Sequence, residues 1–360
     1  MFFTKKHNSF MEAEIAEQAK IVPYILMKYI DSQTGEIKID LPQNIRKIVI
    51  VASGSSYHCA RFAVELVEKI SKIETRAIYS SEFLLKTLIP HDENTLYIFI
   101  TQSGETTDTL KSLERVKKET NLPTLCITNN QESSVWNLCD YKVACFAGVE
   151  HGIAATKSFT SQMLCLILIS LKLIENAGHE ESVKKYKDSL FHLPAIIEKA
   201  LAQRSNVKLL AKKLAKENTI VIAADGISYS LAKEGALKIK ETSYKNISAA
   251  ILGEFMHGHV AVLNNKSMLI YISVDKVSER SVNNLEKIKN DYHPTMVIIG
   301  ISDKKLEPKF HINVDCENEI QQLFANVVIL QLTALETALK LKRNVDNPKG
   351  LSKVVVDKTL

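Results

Sequence analysis

The feature that most constrains this chain is a strand-turn-helix pattern that occurs twice. Lys47–Ala52 (KIVIVA) is a continuous apolar, β-branched run of the kind buried on both faces of a parallel sheet. It ends in Ser53-Gly54-Ser55-Ser56. An amphipathic helix follows, with Ala60, Ala63, Val64, Val67 and Ile70 at helical spacing. The pattern restarts at Thr219–Ala224, with the turn Asp225-Gly226-Ile227-Ser228 and a helix over Tyr229–Tyr244. The hexamers Ala52–Tyr57 and Ala224–Tyr229 agree at four of six positions, at an offset of 172 residues. Both sit at a strand-to-helix turn, so the match reads as an internal duplication.

The intervening rhythm supports that reading. Strands are predicted at Arg76–Tyr79, Thr95–Ile100, Thr124–Ile127 and Lys142–Phe146, separated by helical patterns, before a long helix over Thr156–Ile174. After the restart come strands at Ser267–Ser273 and Thr295–Ile301 and a long helix from Ile320 to Leu341. Alternating β and α at this spacing predicts an α/β fold of two similar doubly wound lobes, each a parallel sheet flanked by helices. The charged helical stretch from Glu181 to Lys216 is expected to bridge them. The expected division is residues 1–200 and 201–360, the second lobe ending in a C-terminal tail.

At 360 residues, with 46% hydrophobic and 24% charged side chains, the composition is that of a soluble globular protein of two domains. The formal charge of +5 is slight and scattered. It suits an anionic small molecule, and no basic block with interleaved aromatics argues for nucleic acid. Six cysteines without a C-x-x-C pair read as small core residues in a reducing compartment. The opening MFFTKKHNSF has no signal-peptide apolar region, and the longest apolar run, Met163–Leu171, is far below the ~20 residues that span a bilayer. A cytoplasmic location and no membrane partner are expected.

Ligands of open parallel sheets bind at the carboxyl ends of the strands. Two loops arrive there with the same chemistry: Ser53-Gly54-Ser55-Ser56, and Thr101-Gln102-Ser103-Gly104-Glu105-Thr106. Each combines a glycine, several hydroxyls and a helix start, which together favour an anion. Ordinary N-capping would use the same residues. With no Walker lysine and no G-x-G-x-x-G, the pair points to a monophosphate ester rather than a nucleotide.

In Glu150-His151-Gly152-Ile153-Ala154-Ala155-Thr156-Lys157, the histidine and lysine fit an architectural role as well as a chemical one. Glu234, Lys238 and Glu241 share one helical face, which is either a solvated salt-bridged stripe or a packed ionic site. His257-x-His259 lacks further ligands for a metal, and a histidine in that setting suits acid/base work near neutral pH. The irregular tail ending at Leu351-Ser352-Lys353-Val354 carries apolar residues that suggest docking.

Together these segments resemble the SIS (sugar isomerase) family, most closely the isomerase half of the glucosamine-6-phosphate synthases. The resemblance runs from Ser9–Gln18 through Gly54–Tyr57, Gln102–Thr106, Glu150–Lys157, Glu234–Glu241 and Gly253–Gly258 to Leu351–Lys353. It implies that Ser56, Thr101, Gln102, Ser103 and Thr106 hold the phosphate, with Ser55 near the sugar hydroxyls. It further implies that Glu241 moves a proton between C1 and C2 beside Lys238. His257 would open the ring from a neighbouring subunit of a homodimer with shared active sites, and Lys353 would approach the carbonyl carbon as a Schiff-base lysine. No metal and no cofactor is implied.

The sequence departs from the synthase pattern in three places. Thr101 stands for a serine, Ala155 for a serine of the sugar pocket, and His259 for the proline after His257-Gly258. No glutaminase domain with its N-terminal cysteine is expected, so nitrogen from glutamine is not.

Three readings follow. The first is an isomerase or deaminase of an amino-sugar 6-phosphate, resting on Glu241, His257 and Lys353. The second is a deglycase for a larger fructosamine-type 6-phosphate, to which Ala155 gives room. The third is a non-catalytic sugar-phosphate sensor.

Overall fold

The computed structural model describes residues 7–178 and 180–354. The first six residues, which belong to the stretch read above for a leader, lie outside that range. In chain order, helix α1 (Phe10–Tyr29) precedes β1 (Lys47–Ala52), α2 (Gly54–Ser71), β2 (Glu74–Tyr79), α3 (Ser80–Leu85), β3 (Thr95–Thr101), α4 (Thr107–Glu119), β4 (Thr124–Thr128), α5 (Ser134–Leu138) and β5 (Tyr141–Ala144). Helices α6 (Lys157–Asn176), α7 (Glu180–Phe191), α8 (Leu193–Ala202) and α9 (Arg204–Leu214) follow. The pattern then repeats as β6 (Thr219–Ala224), α10 (Ser228–Ser243), β7 (Ile247–Ile251), α11 (Leu252–Phe255), β8 (Ser267–Ser273), α12 (Glu279–Tyr292), β9 (Thr295–Gly300), β10 (Phe310–Ile312) and α13 (Glu319–Lys340).

The two sheets have the same topology. The first runs β2-β1-β3-β4-β5 and the second, read in the same direction, β7-β6-β8-β9-β10, with parallel pairing throughout. This is the doubled, doubly wound α/β architecture that the restart at Thr219 predicts. The chain divides into two compact units. Among the described residues, the first lobe holds Lys20–Glu150, Lys157–Asp188 and 352–354; the second holds 7–19, His151–Thr156 and Ser189–Leu351.

Each lobe is built as its strand composition requires. β1, β3 and β4 are buried along nearly their whole length, so apolar residues cover both faces. In the first lobe Val49, Val51, Tyr97 and Phe99 pack with Phe83, Leu113 and Val135 from α3, α4 and α5, while α2 packs with α6. In the second lobe Val221, Leu269, Tyr271 and Ile298 pack with Leu252, Phe255 and Leu285, while α10 packs against α13.

Three details differ from the sequence reading. β5 stops at Ala144, because Phe146 takes a left-handed backbone at φ 49°. β7 and β10 carry too little apolar periodicity to be read; β7 is a half-exposed edge strand and β10 has three residues. The apolar run Met163–Leu171, read as too short to span a bilayer, lies within α6, the long helix expected over Thr156–Ile174. By length and composition both α6 and α13 could cross a membrane, yet 89% and 94% of their most apolar windows are buried inside the fold.

A cluster in the second lobe ties helices far apart in sequence. Arg204 donates to Glu12 Oε1 at 2.5 Å and to Glu336 Oε1 at 2.6 Å, and both carboxylates are buried. Burial pushes the Glu12 carboxyl up. The hydrogen bond and charge of Arg204, with the Asn8 N–H and His7, outweigh that and hold it below the usual carboxylate range. A carboxyl depressed in the native state stabilises the fold above its unfolded value and loses that contribution as pH falls through the native value. Arg204→Met is therefore expected to move the acid-unfolding midpoint to higher pH, read by circular dichroism. Gly300 ends β9 at φ 98°, where a Cβ would lie 1.9 Å from the Ser273 carbonyl oxygen. Gly300→Ala is expected to cost more than ~1 kcal/mol in urea unfolding.

Candidate active site

In the first lobe the two hydroxyl-rich loops leave adjacent strands. Ala52 is paired with Ile100, so Ser53–Ser56 and Thr101–Thr106 emerge side by side at the carboxyl edge. The strand order reverses there, with β2 on one side of β1 and β3 on the other, which is the switch point at which α/β sheets bind ligands. Ser55, Ser56, Gln102, Ser103 and Thr106 are half-buried and Thr101 is buried.

The second loop is held rigidly. Thr101 Oγ1 lies 3.0 Å from Thr106 Oγ1 and accepts the Gly104 N–H at 3.2 Å. Ser103 Oγ accepts from the Glu105 N–H, and the Glu105 carboxylate takes Ser134 N and Oγ at 2.8 and 3.0 Å. Gly104, at φ 71°, lies against Ser133, whose Oγ would be 1.9 Å from any Cβ. No bond from the N-cap side chains Ser53 and Thr106 closes the starts of α2 and α4. Both helix starts thus present positive dipole ends beside hydroxyl donors, which is what an anion requires.

The tail lysine lies in this same lobe. Lys353 Nζ is 2.6 Å from Glu150 Oε2, and the Glu150 side chain is fully buried. That carboxylate also accepts Ser158 N at 3.1 Å and Ser158 Oγ at 2.6 Å, at the start of α6.

In the second lobe the acid–lysine–acid face of α10 is buried rather than solvated. Lys238 is 1% exposed, its Nζ 2.6 Å from Glu241 Oε2 and 3.5 Å from Glu234 Oε1. Desolvating such a cluster costs several kcal/mol per ion before pairing, so stability alone does not favour it. Glu234 is buried, whereas the Glu241 side chain keeps 22% exposure. One Glu241 oxygen is thus pinned to the lysine while the group retains access.

The segment His151–Thr156, which carries half-buried Ala155, is fixed from three directions within this lobe. Glu14 accepts from His151 N and Gly152 N, Asp346 O accepts Ile153 N at 3.1 Å, and Gln331 donates to Thr156 O at 3.1 Å. His257 is exposed on the turn after α11, next to Gly258 at φ 101°.

The structure therefore gathers Ser55, Ser56, Thr101, Gln102, Ser103 and Thr106 at one sheet edge, and pairs Lys238 with Glu241. It sets Lys353 on Glu150, a pairing that sequence spacing does not suggest. Glu14 and Asp346 also escape sequence reading, since their partners lie 137 and 336 positions away. The second sheet has its own switch point, where Asp225 occupies the position of Ser53. Asp225 accepts from Ser281 Oγ at 2.9 Å and Tyr271 OH at 3.2 Å. A carboxylate there opposes phosphate.

The Asp346 carboxylate accepts the Phe10 and Met11 N–H groups at 2.9 and 2.8 Å, closing the start of α1 from the far end of the chain. Asp346→Ala removes both bonds and is expected to lower stability by ~0.5–2 kcal/mol, the range for lost helix caps, in denaturant titration.

The SIS domain profile matches this chain twice, over residues 43–171 and 213–341. The glutamine–fructose-6-phosphate aminotransferases [isomerizing] of Nostoc sp. and Gloeobacter violaceus are 32% and 33% identical to it, each over 96% of this chain and 58% of their own length. The chain thus spans little more than half of these relatives. Among solved structures, the C-terminal domain of the Francisella tularensis glucosamine-fructose-6-phosphate aminotransferase superposes with a TM-score of 0.89 at 24% identity, covering 95% of this chain and 99% of that one. Glucosamine-6-phosphate deaminase of Thermotoga maritima superposes at 0.76 and 21% identity, covering 96% and 99%. Two profile matches on two sheets of one topology make this chain a member of the SIS domain family, carrying the domain in tandem.

Proposed function

We propose that the chain is a cytoplasmic enzyme that interconverts an amino-sugar 6-phosphate resembling glucosamine 6-phosphate and a ketose resembling fructose 6-phosphate, by isomerisation or deamination around C1 and C2. The observation that carries this is the buried Lys238–Glu241 pair at 2.6 Å, a lysine held beside a carboxylate that keeps partial access. Moving a proton next to a carbonyl requires a carboxylate held near its target, and an adjacent ammonium stabilises the enediolate that forms.

In this reading Ser56, Thr101, Gln102, Ser103 and Thr106 hold the phosphate, and Ser55 and Ala155 face the sugar. Glu241 carries the proton with Lys238 beside it. His257 opens the ring from the neighbouring subunit of a homodimer, and Lys353 meets the carbonyl. The buried cysteines Cys59, Cys126, Cys139, Cys145 and Cys165 suit a reducing compartment. A second reading, a deglycase acting on fructoselysine-type 6-phosphates, is favoured by the small side chain of half-buried Ala155.

The test is release of ammonia and fructose 6-phosphate from glucosamine 6-phosphate. Turnover that falls ~10²–10⁴-fold in Glu241→Ala, the range for a positioned acid/base, supports the proposal. Turnover that survives in the mutant overturns the role of the glutamate. No release by folded wild-type protein moves the assignment to deglycation.

Shared sites make a separate prediction. Mixing inactive Glu241→Ala and His257→Ala proteins, with subunit exchange, should restore about a quarter of wild-type activity, the share of intact sites in random two-fold dimers. No recovery from exchanged dimers would place His257 in its own subunit's site or outside the chemistry.

A further inference from the structure

The contact between Lys353 and Glu150 bears on what the tail lysine does. Four observations define it. The Glu150 side chain has no exposed surface, and it lies at the start of the 20-residue helix α6. It accepts both the backbone N–H and the hydroxyl of Ser158, at 3.1 and 2.6 Å. Lys353 Nζ reaches its Oε2 at 2.6 Å, in the range of a charge-assisted bond. Lys353 itself is 24% exposed and lies on an irregular segment, the only described stretch of the first lobe beyond Asp188.

A carboxylate anchored by two donors at a helix start is a fixed negative post. The partner it favours is a cation. A lysine can attack a carbonyl only as the neutral amine, because the ammonium has no lone pair.

We infer that Glu150 is the positioning residue of Lys353: it latches the segment around Lys353 onto the first lobe and ties up the lysine nitrogen in a charge-assisted bond, so that Lys353 can reach a carbonyl only when this pair opens. Opening leaves the Glu150 carboxylate on its two Ser158 donors, and the released ammonium then gives one proton to a solvent base before its nitrogen attacks. The functional half of this inference rests on the reading that Lys353 serves the carbonyl. The latch rests on the contact alone.

The experiment is competitive labelling of the full chain with trace acetic anhydride at neutral pH, without substrate, with exposed Lys304 as the internal standard. In the wild type Lys353 is expected to label more slowly than Lys304. In Glu150→Gln, which retains the size of the side chain, the Lys353 rate relative to Lys304 should rise several-fold while glucosamine 6-phosphate turnover falls. Because Glu150 is buried, Ser158→Ala serves as the second variant. It keeps the carboxylate but removes one anchor, and it should raise labelling by less.

Equal labelling of Lys353 and Lys304 in the wild type, or no rise in either folded variant, overturns the latch. A rise in labelling with unchanged turnover keeps the latch and overturns its part in the reaction. If the wild type does not turn over this sugar, the labelling arm still decides the latch, so its failure is separable from failure of the proposed function.

Discussion

The carboxylate of Asp346 ties the start of α1 to the chain just before the tail. It closes the first turn of α1 by accepting the Phe10 and Met11 amides, and its own backbone carbonyl accepts Ile153 N. Three stretches more than a hundred positions apart thus converge on one residue. A helix start left open exposes unpaired amides, and here the chain supplies the missing acceptor from its far end. The position of the Ala155 segment is therefore coupled to the course of the chain just before the tail.

The same economy governs the two sheets. Both place a strand-turn-helix at the point where strand order reverses, yet they furnish it differently. The first presents hydroxyls and two helix starts without N-cap side-chain bonds, while the second presents Asp225, already engaged by Ser281 and Tyr271. The ionic chemistry of the second lobe lies instead on α10, where Glu234 and Lys238 are drawn out of water and Glu241 keeps partial access. A buried charged cluster that stability alone does not favour is the kind of feature that function retains.

Much of this was legible in the sequence, for reasons that can be named. The apolar runs of β1, β3, β6 and β8 announce buried parallel strands, and the repeated hexamer announces the duplication. The loops 53–56 and 101–106 are readable because glycine and hydroxyl residues at strand ends have a local meaning. β7 was not readable, since an edge strand with one half-exposed face lacks that pattern. The α10 cluster was ambiguous, because helical spacing says which residues share a face but not whether the face is wet. The Glu150–Lys353 and Glu14–His151 contacts could not be read at all, since nothing local in a sequence encodes a partner more than a hundred positions away.

The substitution at Asp225 has a historical consequence. A tandem copy begins with two equal mouths, and selection need keep only one of them competent to grip an anion. With an acid in the second turn engaged by two hydroxyls, its replacement by a smaller residue would leave Ser281 and Tyr271 to be re-partnered. The two halves of this chain keep one topology but differ in the charge of the turn each places at its switch point.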